Sequence, residues 1–362
     1  QDSRLTVLNA VDAAERDADI MVGTSCQTLR REGDLWHITL EDAAGGQRIV
    51  SARMIVNAAG PWIDKVLSEA AGANDAHNVR LVQGSHIVVR KHFEHDRCYI
   101  FQNADGRIIF AIPYEQDYTL IGTTDRDYEG DPDSVAITPE EITYLCEAAS
   151  EYFRKPITED QIVWTYSGVR PLFDDGASKA QEATRDYVLR EDGQPGEPVL
   201  LNVFGGKITT YRKLAEAALD HVEAHLGAKR SAWTRSAPLP GGDFDATSFG
   251  GLLNALSEAY PAMPEKLLWR LARNYGTRTS MILGGAQTPA DLGSHFGADL
   301  HEAEVDYLVS EEFARSADDV LWRRSKLGLK LDKDQTVALD AYVTEFLRQR
   351  NPEPGKRAVA GE

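Results

Sequence analysis

Four short stretches of the chain place glycine or serine next to a basic residue at the predicted end of a strand. They are Gly84-Ser85-His86, Ser167-Gly168-Val169-Arg170-Pro171, Thr184-Arg185-Asp186-Tyr187 and Gly205-Gly206-Lys207. Arginine binds oxyanions through a planar fork of N–H groups, lysine supplies a point charge, and histidine can exchange a proton near neutral pH. In a chain with a formal net charge of −18, these cations indicate a site for a small, strongly anionic substrate.

The last of these stretches follows an apolar run, residues 200–204, that predicts a buried strand, and it precedes a helical pattern. Gly205 and Gly206 allow the backbone to approach a ligand, and the start of the next helix favours an anion. Lys207 adds a full positive charge. The alternative is an ordinary turn with an exposed lysine. A nucleotide P-loop is excluded, because Ile208 stands where that motif needs Ser or Thr.

Composition narrows the class of protein. The 362 residues suffice for two or three domains, and 42% of them are hydrophobic, as in ordinary globular proteins. The excess of acidic residues argues against nucleic acid as a partner, since the phosphate backbone would be repelled. Three widely spaced cysteines indicate reduced thiols and a cytoplasmic setting.

The elements that must position these residues are predicted as follows. A helical period opens the chain, and a β-meander follows, with strands at 20–22, 26–31, 36–40 and 48–50. Further strands lie between about 78 and 130, a helix at about 139–153, and a strand at 162–167. A Gly- and Pro-rich linker at 236–251 precedes segments with helical period. The pattern predicts a mixed α/β fold with a helical C-terminal part.

Two apparent metal motifs are better explained as surface loops, and we predict no metal site. The stretch "KHFEHDRC" crowds His92, His95 and Cys98 together with acidic residues, but no second ligand cluster supports it. The stretch "DRDYEGDP" begins like a calcium loop, but Ala136 occupies the position that requires a bidentate Glu.

A set of longer motifs identifies the chain as similar to the FAD-dependent aerobic glycerol-3-phosphate dehydrogenases. They are "VNAAGPWID", "RLVQGSHIVV", "YTLIGTTDRDYEGDP", "VWTYSGVRPL", "ATRDYVL", "VFGGKITTYRKLAE", "LPGG" and "ADDVLWRRSKLGL", in this order. The resemblance implies oxidation of sn-glycerol 3-phosphate to dihydroxyacetone phosphate, with hydride transfer to FAD and electrons passed to membrane quinone. It implies a cytoplasmic protein peripherally associated with the inner membrane, and it allows a homodimer. The alternatives are a peroxide-forming oxidase of the same superfamily or an inactive fragment.

The resemblance also implies a fold and its boundaries. We expect an incomplete FAD-binding Rossmann-like domain with a β-meander, an antiparallel-sheet substrate domain and a C-terminal helical domain. The family's N-terminal Gly-x-Gly-x-x-Gly turn has no counterpart here, so about 150 residues are expected to be missing, and FAD is expected to bind weakly. The predicted parts are 1–75 (FAD-binding, helix plus meander), 76–197 (substrate-binding), 198–230 (return to the FAD-binding domain), 231–250 (linker), 251–350 (helical) and 351–362 (flexible tail).

By the same match, site residues can be assigned. The cofactor-binding residues implied are Ala58, Gly60, Pro61, Trp62, Gly205, Gly206, Lys207, Ile208 and Thr209. His86, Arg170 and Lys207 are implied to face the substrate, with Arg185 as a further phosphate partner. The acceptor of the hydroxyl proton is either His86, whose pKa range suits the task, or a water beside Arg170 or Lys207.

Overall fold

The computed structural model describes residues 2–73, 77–174, 186–194, 196–228 and 230–350. The chain divides into two compact units. One unit takes the residues up to Val22 and those from Ser236 onward, and the other takes Gly23–Arg235. Arg185 and the predicted tail 351–362 lie outside the described residues.

The helices are α1 Asp2–Ala14, α2 Ile63–Lys65, α3 Pro139–Ser150, α4 Tyr211–Leu226, α5 Phe249–Ala259, α6 Glu265–Tyr275, α7 Thr279–Leu283, α8 Glu302–Glu311 and α9 Lys333–Arg350. The strands are β1 Thr24–Glu32, β2 Leu35–Asp42, β3 Gln47–Ala52, β4 Met54–Asn57, β5 Val79–Arg90, β6 Tyr99–Gln102, β7 Ile108–Tyr114, β8 Tyr118–Gly122, β9 Arg126–Asp127, β10 Ile162–Phe173, β11 Tyr187–Asp192, β12 Val199–Gly205, β13 His295–Gly297 and β14 Leu300–His301. Within the described residues, none of the helices combines the length and the apolar character needed to cross a membrane.

The first sheet is the predicted meander, β1-β2-β3, with both pairs antiparallel. Its strands agree with the predicted ones at 26–31, 36–40 and 48–50. The strand predicted at 20–22 is wrong. The chain turns at Val22-Gly23 instead, where Gly23 has a φ of +65° that is incompatible with an extended strand.

The second sheet is antiparallel and has the strand order β10-β5-β8-β7-β6, with β9 paired to β5. One of its faces is apolar and is covered by α3. Ile87, Ile109 and Ile121 of the sheet are completely buried there together with Leu145 and Ala149 of the helix. This packing follows from the period-two alternation of the strands and the apolar stripe of the helix.

The third sheet has the order β11-β12-β4, in which β12 runs parallel to β4 and antiparallel to β11. Leu200, Leu201 and Phe204 of β12 are buried, as the apolar run in the sequence predicts for a central strand. At the end of the parallel pair, the Nδ2 of Asn57 donates to Oδ1 of Asn202 over 3.1 Å, and both residues are buried. The amide pair fixes the register of the two strands.

The other unit is helical, as predicted for the C-terminal part, with one short ribbon formed by β13 and β14. It also contains α1. The guanidinium of Arg4 forms a buried ion pair with Glu312, and its Nη2 donates to the carbonyl of Asn274 over 2.9 Å. Sequence analysis grouped the opening helix with the meander that follows it, and the structure places α1 among the C-terminal helices because of these long-range contacts. The predicted mixed α/β class, with a meander, an antiparallel sheet and a helical C-terminal part, is confirmed.

Candidate functional site

Two long antiparallel strands bring the predicted residues His86 and Arg170 to one face of the second sheet. In the pair of β5 with β10, His86 lies opposite Tyr166 and Gly84 lies opposite Gly168. Arg170 follows Gly168 by two positions. Because side chains alternate between the faces of a strand, these five residues point to the same side. We call this side of the sheet the site face.

Arg170 is held by two side chains that follow β8. Its Nη1 donates to Oδ1 of Asp125 over 2.6 Å, and its Nη2 donates to Oγ1 of Thr123 over 3.3 Å. The Arg170 side chain remains 34% exposed. A guanidinium has five N–H donors, so the arginine can bind an anion from the solvent side while Asp125 fixes its position.

The imidazole ring of His86 is stacked on an aromatic side chain. The ring centroids of His86 and Tyr166 are 4.7 Å apart and their planes differ by 6°, and the ring of Trp164 lies 5.1 Å beyond Tyr166. On its other side His86 is paired with Gly122 of β8. A side chain at this glycine would collide with the imidazole, so Gly122 leaves the space in which the ring lies.

Two further glycines open the site face around Arg170. A Cβ atom at Gly84 would lie 2.6 Å from Nη2 of Arg170 and 2.8 Å from Oγ1 of Thr123, whereas one at Gly168 would meet nothing within 4 Å. Gly84 therefore makes room for the guanidinium, and Gly168 leaves open space beside it. A small substrate or the flat ring of a cofactor can approach the sheet at this point.

The turn after β12 lies against the end of β10. Gly205 and Gly206 have φ values of +67° and +94°, in the left-handed region that favours glycine. A Cβ atom at Gly205 would lie 3.1 Å from the carbonyl oxygen of Asp186 and 3.6 Å from that of Pro171. Since Pro171 directly follows Arg170, the fold brings the double-glycine turn to the strand end that carries the arginine.

Lys207 is exposed and precedes a single helical turn, Ile208–Thr210, that leads into α4. The backbone N–H and the hydroxyl of Thr210 donate to the carbonyl of Lys207 over 2.9 and 3.0 Å. These bonds close the turn. The first N–H groups of a helical segment have no acceptor within it and carry partial positive charge. Together with the ammonium group they suit an anion or the electron-rich edge of a ring.

The segment after β4 reaches the same edge of the third sheet. Residues Gly60–Trp62 form a short helical turn that contacts both β10 and β12, and Gly60 has a φ of +56°. Because β4 and β12 are parallel, Ala58–Trp62 and Gly205–Thr209 both follow the carboxyl ends of their strands. Ligands of α/β sheets bind beyond this edge, so the two predicted cofactor segments lie together where a ligand is expected.

Some features of the site were missed in the sequence. Tyr166 shares the parity of Gly168 and Arg170, so period-two alternation could have placed it on their face. Thr123 and Asp125 carry no such signal, since their position beside Arg170 depends on the pairing of β5 with β8. Arg185, the predicted phosphate partner, lies outside the described residues.

Among the described residues, no three His, Cys, Asp or Glu side chains are grouped so that they could hold a metal ion. In the stretch "KHFEHDRC", Nε2 of His95 lies 2.8 Å from the hydroxyl of Tyr99, and the ammonium of Lys91 pairs with Glu94 over 3.2 Å. These side chains have local structural contacts.

Two family profiles match the chain. "FAD dependent oxidoreductase" matches residues 1–212, more than half of the chain, and "C-terminal domain of alpha-glycerophosphate oxidase" matches residues 232–351. The chain belongs to the FAD-dependent oxidoreductase family. The resemblance found in the sequence motifs is thereby confirmed, and so is the expectation that the protein is a flavin-dependent oxidoreductase.

Relatives agree with this assignment. The chain is 46% identical to a glycerol-3-phosphate dehydrogenase of Pseudomonas aeruginosa, over 94% of this chain and 67% of the relative. It is 45% identical to a D-erythritol 1-phosphate dehydrogenase of Brucella abortus (93% and 67%) and 41% identical to the aerobic glycerol-3-phosphate dehydrogenase of Escherichia coli (96% and 70%). A glycerol-3-phosphate dehydrogenase from Bacillus halodurans, solved with FAD, superposes with a TM-score of 0.78 at 25% identity, over 96% of this chain and 68% of that one.

FAD is the cofactor of this flavoenzyme, and the described residues fit its flavin end. The glycine turn exposes backbone N–H groups and Lys207 at the carboxyl edge of the third sheet, where a side chain at Gly205 would press on the carbonyl of Asp186. The neighbouring site face is open at Gly168. A flat ring and a small substrate can both be accommodated beside Arg170.

Proposed function

We propose that this enzyme oxidises sn-glycerol 3-phosphate to dihydroxyacetone phosphate, with FAD as hydride acceptor and membrane quinone as the final electron acceptor. The observation that carries the proposal is the site face, on which a fixed guanidinium and an imidazole flank an open, glycine-lined space. Relatives that are 41% and 46% identical are glycerol-3-phosphate dehydrogenases, which supports a phosphorylated polyol as the substrate.

We propose that Arg170 and Lys207 bind and orient the anionic substrate. The fork of Arg170 donates charge-assisted hydrogen bonds to phosphate or alkoxide oxygens, and Asp125 prevents it from swinging away. Lys207 and the N–H groups that follow it stabilise negative charge at the adjoining edge. Arg185 is kept as a proposed phosphate partner.

FAD supplies a two-electron acceptor for the hydride that leaves C2 of the substrate. Formation of the C2 carbonyl also requires the hydroxyl to lose its proton. We propose His86 as the acceptor, because its ring is partly exposed on the site face and is held by the stack on Tyr166. A water beside Arg170 or Lys207 is the alternative base.

A second substrate is supported by the relative from Brucella abortus, a D-erythritol 1-phosphate dehydrogenase. Erythritol 1-phosphate has one more hydroxylated carbon than glycerol 3-phosphate. The open space at Gly168 could hold the longer chain, so both polyol phosphates need to be compared.

The test is steady-state kinetics of the FAD-loaded enzyme with both substrates, using a soluble quinone as acceptor and measuring peroxide in parallel. We expect a higher kcat/KM with sn-glycerol 3-phosphate and little peroxide when quinone is present. A higher value with erythritol 1-phosphate would replace the substrate assignment, and stoichiometric peroxide in the presence of quinone would identify an oxidase.

Because a quinone acceptor resides in the bilayer, we propose peripheral association with the cytoplasmic face of the inner membrane. Washing membranes with high salt and then with alkali should release the enzyme. Retention after both washes would contradict a peripheral mode. A homodimer is proposed as well, and sedimentation of the FAD-loaded protein at several concentrations tests it.

A further inference from the structure

A buried carboxylate lies behind the site face, on the opposite side of the same sheet. Glu141 belongs to the first turn of α3, and only 7% of it is exposed. It forms a capping box with Thr138, whose backbone N–H donates to Oε2 over 3.0 Å. An ordinary capping box lies at the protein surface and needs no further partners.

Glu141 also accepts hydrogen bonds from three side chains outside its helix. Its Oε1 accepts from the hydroxyl of Ser85 over 2.9 Å and from that of Thr124 over 2.5 Å, and its Oε2 accepts from Nε2 of Gln83 over 2.9 Å. All three donors are at least 97% buried. Among the described residues, the recorded ion pairs include none to Glu141, so its charge is balanced by these donors and by the helix N-terminus.

The donors are interleaved with the residues of the site face. Gln83 and Ser85 alternate along β5 with Gly84 and His86. On β10, Ser167, whose hydroxyl lies 2.8 Å from that of Ser85, stands between Tyr166 and Gly168.

The loop after β8 has the same arrangement. Thr124 stands between Thr123 and Asp125, the two side chains that hold Arg170. The hydroxyl of Thr124 also accepts the backbone N–H of Ser85 over 3.0 Å, which ties this loop to β5. Each contact to the carboxylate therefore fixes a backbone position adjacent to a site residue.

We propose that Glu141 is a positioning residue for the oxidation: from the far face of the sheet it sets the relative positions of the His86–Tyr166 stack and the Arg170–Asp125 pair. This rests on the proposed function. A carboxylate can accept all four hydrogen bonds, whereas an amide offers a single acceptor oxygen, so Glu141→Gln must release part of the network.

The test compares Glu141→Gln with Glu140→Gln in the FAD-loaded enzyme. Glu140 is the exposed neighbour in the same helical turn, so the control removes the same charge without touching the network. We expect Glu141→Gln to lower kcat/KM by about 10- to 100-fold, as for displacements of about 1 Å at a reacting centre. Glu140→Gln should stay within twofold of the wild type.

A double-mutant cycle separates positioning from loss of stability. If Glu141 acts through the Arg170–Asp125 pair, its replacement should have at least fivefold less effect on kcat/KM in an Asp125→Asn background. Multiplicative effects of the two changes, measured per FAD-loaded enzyme below the unfolding temperature, would overturn the proposal. So would a kcat/KM for Glu141→Gln equal to that of the control.

Near-ultraviolet circular dichroism provides a readout that does not depend on turnover. The stack of Trp164, Tyr166 and His86 should give a signal that weakens in Glu141→Gln and persists in Glu140→Gln. If the wild type oxidised neither polyol phosphate, the proposed function would fail, and an unchanged spectrum of Glu141→Gln would overturn the positioning role separately.

Discussion

The glycine at position 84 offers a way to move Arg170 without replacing it. In Gly84→Ala the new Cβ would lie 2.6 Å from Nη2 of Arg170, while ordinary contact begins at 3.4 Å. The guanidinium must therefore shift by at least 3.4 − 2.6 = 0.8 Å. The same methyl would lie 2.8 Å from Oγ1 of Thr123, so both members of that hydrogen bond are displaced.

The fold should tolerate the change. The atoms that clash are the ends of side chains, which can rotate, and alanine is favoured over glycine within a strand by about 0.5–1 kcal/mol. Catalysis should not tolerate it, because a displacement of about 1 Å at a catalytic centre can reduce the rate by about 100-fold. We expect Gly84→Ala to keep its unfolding temperature and to lose 10- to 100-fold in kcat/KM for sn-glycerol 3-phosphate, about 1.4–2.7 kcal/mol, mainly through a higher KM.

Gly168→Ala is the matched variant, since Gly168 is the direct cross-strand partner of Gly84 and its new Cβ would touch no protein atom. Resonances of the Arg170 guanidinium in the substrate-free protein should shift in Gly84→Ala and stay unchanged in Gly168→Ala. A wild-type KM in Gly84→Ala, combined with a shifted guanidinium, would remove Arg170 from the substrate site.

Three further predictions concern individual side chains. Arg170→Lys should fold and bind FAD but lose 10- to 100-fold in kcat/KM, because the charge is kept while a contact worth about 1.5–3 kcal/mol is lost; near-normal turnover would contradict this. Arg4→Met should lower the free energy of unfolding in urea by about 3–5 kcal/mol, because it leaves the buried carboxylate of Glu312 without its main partner; a loss below about 1 kcal/mol would refute it. Iodoacetamide at pH 8 should label the exposed Cys98 well before Cys146, because burial raises the pKa of the Cys146 thiol to about 11 and leaves only about one in 1,000 of these thiols ionised; equal labelling rates, followed by mass spectrometry, would show that the site opens.

Local patterns predicted the elements well wherever the information lies within a few residues. The strands of the meander agree with the sequence to within two residues at each end, because period-two alternation is visible in any short window. The start of α3 at Pro139 follows from the cap at Thr138. The end of β10 was predicted six residues too early, at Ser167. Pro171 argues against a central strand, but β10 ends the strand order of its sheet, where a proline is tolerated.

The site was predictable only in part for a similar reason. Residues of recognisable chemistry, such as His86, Arg170 and the glycines before Lys207, stand out in the sequence. The partners that fix them do not. Asp125 and Glu141 are two of 57 acidic residues, and what distinguishes them is the pairing of strands that are distant in sequence. A capping motif was readable at Thr138, but its burial against β5 was not.

The position of α1 has a consequence for how the chain folds in the cell. The two members of the Arg4–Glu312 pair are separated by 308 residues, and translation at about 5–20 residues per second would need about 15–60 s to produce the second after the first. During this interval Val11, which is 3% exposed in the folded protein, has no core to join. The sheet-containing unit can fold as soon as it leaves the ribosome, whereas the helical unit must wait for its last helices. Nascent chains should therefore depend on a chaperone that shields an isolated amphipathic helix, and a break within the C-terminal helices should release α1 first.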